Sequence, residues 1–292
     1  MKKIAILGCE NSHANTFLNF IKNDEKYKDV EVVGVYSHDE NASKKLNENF
    51  GVPVLSSYDE AVGKVDGIIV TARHGDNHYK YAKPYIKNGI SMFIDKPVTI
   101  NEDEAISFMR ECREAGVKVT GGSSCVHNDW VKTLKAEREN DVDGPTLGGF
   151  VRCPISLQSP NGGFFFYAEH LIGIMSSIFG YYPKSVKAFL NERKLTVVFR
   201  YEDFDVTGIF VDESYDCYYA MRISEHRVNG SEFAITADSP CFRAEFDEFY
   251  SLLSGEDQKK SYKEFIAPVF VMNAVSRSLA DNCEVEVRSY DL

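Results

Sequence analysis

The first 121 residues alternate short, continuously apolar runs with amphipathic segments, and few folds accept that order. Residues 4–7, 30–36, 67–71 and 89–94 read as strands covered on both faces, as in a parallel sheet. Helices are expected over residues 13–22, with Ser12 as the cap and Phe17, Phe20 and Ile21 on one face, over 42–50 with a stop at Gly51, and over 77–88 with a stop at Gly89. A short strand near Val54 and a small helix at Ala61-Val62 complete this stretch. Asn101 and Glu104 form a capping box for a further helix that runs to Gly116. Strands and helices alternating at this spacing imply right-handed βαβ crossovers and a Rossmann-type, doubly wound parallel sheet over residues 1–121.

From residue 147 the pattern changes to longer alternating strands, expected at 149–157, 185–190, 195–201, 205–211 and 215–222, with a turn at Val228-Asn229-Gly230. An apolar helix ends at Gly180, and a helix over 267–280 precedes a strand over 283–287. Residues 122–292 therefore read as an α+β domain on a large, mainly antiparallel open-faced sheet, with the 267–280 helix packing back towards the first domain. A length of 292 residues suits two such domains. The aromatic side chains of the second sheet make one face either a subunit interface, giving a homodimer or homotetramer, or a surface for the domain's own helices.

A formal net charge of -11 argues against nucleic acid as a partner, because phosphate binding needs a positive surface. Seven scattered cysteines without a Cys-x-x-Cys pair indicate neither a disulfide framework nor a zinc site, and a reducing cytoplasm fits them best. The apolar run at 4–7 stops at Gly8-Cys9-Glu10, too soon for a signal peptide, and no run has the length needed to cross a bilayer.

The most informative join is where the strand ending at Ile94 runs into Asp95-Lys96-Pro97. A lysine there projects an ammonium into the crevice where open α/β sheets bind ligands. After the first strand, a dinucleotide fingerprint would show Gly-x-Gly-x-x-Gly, whose glycines let the backbone approach a pyrophosphate. This chain has Gly8-Cys9-Glu10-Asn11-Ser12-His13, which keeps the first glycine only. The Glu10 carboxylate repels a diphosphate unless it turns away, whereas Ser12 and the amides near His13 remain able to cap a phosphate. At the end of the second strand, where an acid would hold the ribose hydroxyls, stand Ser37 and His38, which favour no selection against a 2′-phosphate. Asp39 serves the ribose instead if the loop is one residue longer, so NAD and NADP both stay open.

Downstream, Asn161-Gly162-Gly163 leads through Phe166 and Glu169 to His170 on the apolar helix. With Asp95-Lys96-Pro97, Thr71-Ala72, Asn77-His78 and the closing 267–280 helix, this element makes the whole chain resemble the Gfo/Idh/MocA family of oxidoreductases, the glucose-fructose oxidoreductase and inositol dehydrogenase type. The resemblance implies NAD or NADP in the first domain and a sugar, cyclitol or polyol substrate against the open face of the second sheet. It further implies cofactor contacts from Gly8, Glu10, Asn11, Ser12, His13, Ser37, His38, Thr71, Ala72, Arg73, His78, Asp95, Lys96 and Pro97. Lys96 and His170 become the catalytic pair, with His170 the proton-transferring group.

His127, Phe166 and Glu169 are the further substrate-side candidates. Departures from the family pattern fall at Glu10 and His13, at Arg73 in place of a proline, and at Phe166, where the family has an aspartate one helical turn before the histidine. Glu169 is rotated too far round the helix to replace that aspartate unless the helix begins there. The departures leave two alternatives standing, a catalytically degenerate nucleotide- or sugar-binding protein and a redox-neutral carbohydrate enzyme that uses NAD. His74, Asp76 and His78 lack a third partner for zinc, so no metal site is expected. Cys125 near His127 reads as a core or surface thiol, and Lys259-Lys260 as a solvated turn.

Overall fold

The computed structural model describes every residue except position 88, so the expected helix end at Asn88 lies outside the described residues. The chain separates into two compact units, the first formed by Met1–Gly122, Phe242–Ile266 and Leu292, the second by Ser123–Cys241 and Ala267–Asp291.

In the first unit the elements are β1 (Lys2–Leu7), α1 (Ser12–Asn23), β2 (Val30–Tyr36), α2 (Glu40–Phe50), β3 (Gly67–Val70), α3 (Asp76–Ile86), β4 (Ser91–Asp95), α4 (Glu102–Glu114) and β5 (Val119–Gly122). Among the described residues these strands form a parallel sheet in the order β2-β1-β3-β4-β5, with Val54 bridging to Val35 beyond β2. The order reverses between β1 and β3, and the carboxyl ends of strands at such a switch point are where doubly wound sheets bind ligands. Gly8, which follows β1 with φ 73°, is fixed by a close approach: a Cβ there would lie 2.5 Å from Ala72.

The second unit contains α5 (Asp129–Glu139), β6 (Thr146–Ile155), α6 (Phe165–Phe179), β7 (Ser185–Asn191), β8 (Lys194–Arg200), β9 (Asp205–Asp212), β10 (Tyr218–Ser224) and β11 (Val228–Phe233). The chain continues through α7 (Pro240–Leu253), which belongs to the first unit from Phe242 onward, then α8 (Tyr262–Asp281) and β12 (Val285–Glu286). The second sheet has the order β11-β10-β6-β9-β8-β7-β12 and is antiparallel except where β6 runs parallel to β9. One face is buried by Val151, Cys153, Leu195, Val197, Phe199, Val206 and Phe210. The opposite face carries Phe150, Val198, Ile209, Tyr219 and Met221, all half-buried. No helix among the described residues is long and apolar enough to cross a membrane.

Several expectations need correction. Residues 122–292 do not form one block, because α7 rejoins the first unit: Phe246 and Phe249 pack into the cluster made by Ile4, Ile6, Phe17, Tyr27 and Phe93. The segment at Ala61-Val62 is a turn, since Glu60 accepts from Ser56 and Asp59 from Ser57, local bonds that compete with a helix. Val228-Asn229-Gly230 opens β11 instead of forming a turn, and Gly230 is there because the Tyr219 hydroxyl lies 2.5 Å from where its Cβ would be. The cap position of α1 is Asn11 rather than Ser12, and the Asn11 amide is drawn away to Asp95. Asn101 caps α4 as expected, its side chain accepting from the amides of Asp103 and Glu104, but among the described residues the Glu104 carboxylate returns no bond to the Asn101 amide, so the capping box is only half formed.

Candidate functional site

The residues expected to touch a cofactor in the first unit come together at the carboxyl ends of its strands. Thr71 donates from Oγ1 to the Gly8 carbonyl at 3.1 Å and ties the loop after β3 to the loop after β1. Ala72 closes on Gly8 from the same side, so the first glycine of the fingerprint has a packing reason independent of any phosphate. Ser12 and Arg73 are exposed beside this junction.

Glu10 stands in the second glycine's place with its carboxylate pinned. Oε2 accepts from the Ser37 hydroxyl at 2.7 Å, Oε1 accepts from the Arg73 amide at 3.2 Å, and the exposed His38 ring lies 3.8 Å from Oε1. The Ser37 hydroxyl in turn accepts from the Asp39 amide, while the Asp39 side chain caps α2 by accepting from Asn41.

His13, in the third glycine's place, is buried and turned inward. Its Nδ1 donates to Asp95 Oδ2 at 2.6 Å, and Nε2 lies 3.9 Å from Glu245 Oε2 on α7. Asp95 also accepts from the Asn11 amide group and from the Lys96 backbone amide. Burial presses the His13 pKa down, but the charge and hydrogen bond of Asp95, and then Glu245, more than offset it and leave it raised. Burial acts on Asp95 in the opposite sense, and His13, Lys96 and His78 together still hold its pKa below the usual carboxylate value. Glu245 is pushed up to about 8, by burial above all, with His13 opposing and Asp95 adding to the rise.

Lys96 follows β4 directly and is only 5% exposed, unlike an ordinary loop lysine. Its peptide bond to Pro97 is cis. His78 is fully buried, with Nδ1 2.7 Å from the Pro97 carbonyl and Nε2 2.7 Å from the Ala72 carbonyl, so the ring braces the loops after β3 and β4. Only a protonated ring donates from both nitrogens, and burial opposes that charge more strongly than the two carbonyls and Asp95 favour it.

In the second unit, α6 is continuous from Phe165, so Glu169 lies inside the helix and not at an irregular start. Glu169 and His170 are both buried. Nδ1 of His170 is 2.7 Å from the Ser123 hydroxyl and 3.4 Å from Cys125 Sγ, and the Tyr167 ring packs edge-on against the imidazole at 4.9 Å. Phe166, one turn before His170, stacks edge-on with Tyr167, while His127 sits half-exposed in a short 3-10 turn. Cys125 is thus a buried thiol beside His170.

Ser123 and Glu245 had no place in the sequence reading. Glu245 was signalled by its register, since it shares the apolar stripe of Phe242, Phe246 and Phe249. Ser123, distant in sequence from His170, gave no signal beyond following the paired glycines that end β5.

These residues fit a dinucleotide. The first turn of α1 carries no acid, the Glu10 charge is held by Ser37 and Arg73, and His13 is neutralised by Asp95.

Residues 2–123 match the Gfo/Idh/MocA family, described as an oxidoreductase family with an NAD-binding Rossmann fold. No curated protein sequence matches the chain. Solved structures share the fold over nearly the full length. Scyllo-inositol dehydrogenase from Lactobacillus casei, solved with NAD(H) and scyllo-inositol, aligns at a TM-score of 0.85 and 14% identity, covering 99% of this chain and 100% of that one. Myo-inositol 2-dehydrogenase from Lactobacillus plantarum gives 0.85 and 13%, covering 98% and 99%. A myo-inositol dehydrogenase from Corynebacterium glutamicum gives 0.83 and 14%, covering 99% and 100%. At such identities the structural likeness speaks for the fold, and the similarity to the Gfo/Idh/MocA oxidoreductase family, with its NAD-binding Rossmann fold, extends over residues 2–123.

Proposed function

We propose that the protein is an NAD- or NADP-dependent oxidoreductase acting on a CH–OH group of a sugar, cyclitol or related polyol. The observation that carries this reading is the buried Lys96 at the carboxyl end of β4, beside an ionised Asp95, within a unit matched to an NAD-binding oxidoreductase family. Gly8, Asn11, Ser12 and the loops at Ser37 and Arg73 would hold the dinucleotide, which when bound supplies the hydride acceptor or donor. Lys96 steadies the substrate hydroxyl, and His170 moves its proton. The Ser123 hydroxyl on Nδ1 would hold the imidazole in place for that exchange.

Phe166 favours a second reading, because it leaves the helical turn before His170 without the family's carboxylate. A non-catalytic sugar or nucleotide binder, or a redox-neutral enzyme with tightly held NAD, is the corresponding alternative. Titration with NAD+, NADH, NADP+ and NADPH, followed by hydride-transfer assays over a polyol panel, separates these. Lys96→Ala and His170→Ala are each expected to lower turnover at least about 100-fold, the usual worth of positioned proton transfer, with folding intact. Unchanged turnover in either variant removes that residue from the mechanism, and dinucleotide binding without any hydride exchange moves the protein to the second reading.

The half-buried apolar face of the second sheet supports a homodimer or homotetramer. Ile209→Glu at its centre is expected to shift the mass in sedimentation to the monomer. A reducing cytoplasm suits the buried thiols of Cys9, Cys112, Cys125, Cys153 and Cys241.

A further inference from the structure

We propose that Glu10 reads the adenosine ribose of the dinucleotide, selecting NAD over NADP from the glycine loop instead of from the end of β2. The inference rests on dinucleotide binding by the first unit. In Rossmann domains an acid at the end of the second strand accepts hydrogen bonds from the ribose hydroxyls, and its charge disfavours a 2′-phosphate. Here β2 ends at Tyr36 and is followed by Ser37, a neutral residue whose hydroxyl donates to Glu10 Oε2 at 2.7 Å. The negative charge missing from the β2 end is therefore present in space, supplied by a side chain that starts in the neighbouring loop.

Three features make this carboxylate a built element. Ser37 is buried, and its hydroxyl also accepts from the Asp39 amide, which fixes the direction of its donation to Glu10. The Arg73 amide, from the loop after β3, holds Oε1 from the other side, and the Glu10 side chain is 9% exposed. An ionised carboxylate has about four lone-pair sites, so these bonds leave acceptor capacity for hydroxyl donors.

The rival groups are otherwise engaged. Asp39 points its carboxylate at Asn41 as the cap of α2, and the His38 ring lies 3.8 Å from Glu10 Oε1, where a positive charge on it is answered by the carboxylate before it meets a phosphate. The same contacts explain how an acid is tolerated in a position that usually needs glycine, since they hold its charge to the ends of β2 and β3.

The test is calorimetric titration of the whole protein, as Glu10→Gln, Ser37→Ala and parent, with NAD+ and NADP+, after unfolding curves have established that the variants are folded. The parent is expected to bind NAD+ at least about tenfold more tightly than NADP+, as for one charge-assisted hydrogen bond gained. Glu10→Gln should remove most of that ratio by weakening NAD+ and relieving NADP+. Ser37→Ala, which releases the carboxylate, should move the ratio the same way by less. Binding of both cofactors with a ratio that Glu10→Gln leaves unchanged overturns the role of Glu10 and leaves the dinucleotide reading in place. A parent that prefers NADP+ overturns it equally. Binding by Glu10→Gln but not by the parent makes Glu10 a plug, and binding by neither ends the dinucleotide reading itself.

Discussion

Glu245→Gln isolates the effect of burial on one charge in the first unit. The Glu245 carboxyl is 1% exposed, and neither of its oxygens has a hydrogen-bond partner among the described residues. Burial raises its pKa from 4.5 to about 8. Between those values the folded protein holds a proton that the unfolded chain has released, so stability falls as pH rises through this window and levels off above about 8. At about 1.4 kcal/mol per pH unit the full loss amounts to roughly 5 kcal/mol. Glutamine keeps the shape and cannot ionise. Its unpartnered amide costs a similar amount at every pH, which makes the change in the difference between parent and variant the quantity to measure. Urea denaturation of both proteins, followed by circular dichroism from about pH 5 to about pH 9, should show the variant gaining on the parent by several kcal/mol as pH rises. A difference that stays constant across that range would mean that Glu245 is ionised, or solvated, in the folded state, and the account of the His13 cluster would fail.

Gly8→Ala must fit a Cβ against Ala72 at a φ of 73° and is expected to cost about 2–4 kcal/mol in the same denaturation assay. Phe246→Ala, which empties a fully buried ring site between Phe17 and Tyr27, should cost about 3–5 kcal/mol. Ser123→Ala removes the hydroxyl on His170 Nδ1; turnover should fall about tenfold with KM little changed, and unchanged turnover would mean that the contact does not orient the imidazole.

What could be read from the sequence was whatever depends on local period. The buried strands before Gly8 and Lys96 announce themselves as unbroken apolar runs, and Asn101 announces α4 by its cap. The inward turn of His13 was invisible, because it depends on Asp95 from β4 and Glu245 from α7, both remote in sequence. The same holds for Glu10, whose behaviour is decided by a serine and an amide on two other loops. Gly230 misled for the converse reason: a residue chosen for its lack of a side chain beside Tyr219 carries the same letter as one chosen for a turn. Where the spacing of a motif was intact, position followed from counting; where a glycine was replaced, the answer lay in tertiary partners that counting does not reach.

The return of Phe242–Ile266 to the first unit sets an order on biosynthesis. When residue 122 leaves the ribosome, the parallel sheet has all its strands but lacks the two rings, Phe246 and Phe249, that close the aromatic cluster around Phe17 and Phe93. Until the remaining segment is made, the nascent domain presents that patch to its surroundings, and it waits on synthesis of β6 to β11 before it can seal. A chain terminated after Cys241 would carry every strand of the nucleotide-binding sheet and still behave as an incompletely folded, chaperone-dependent species.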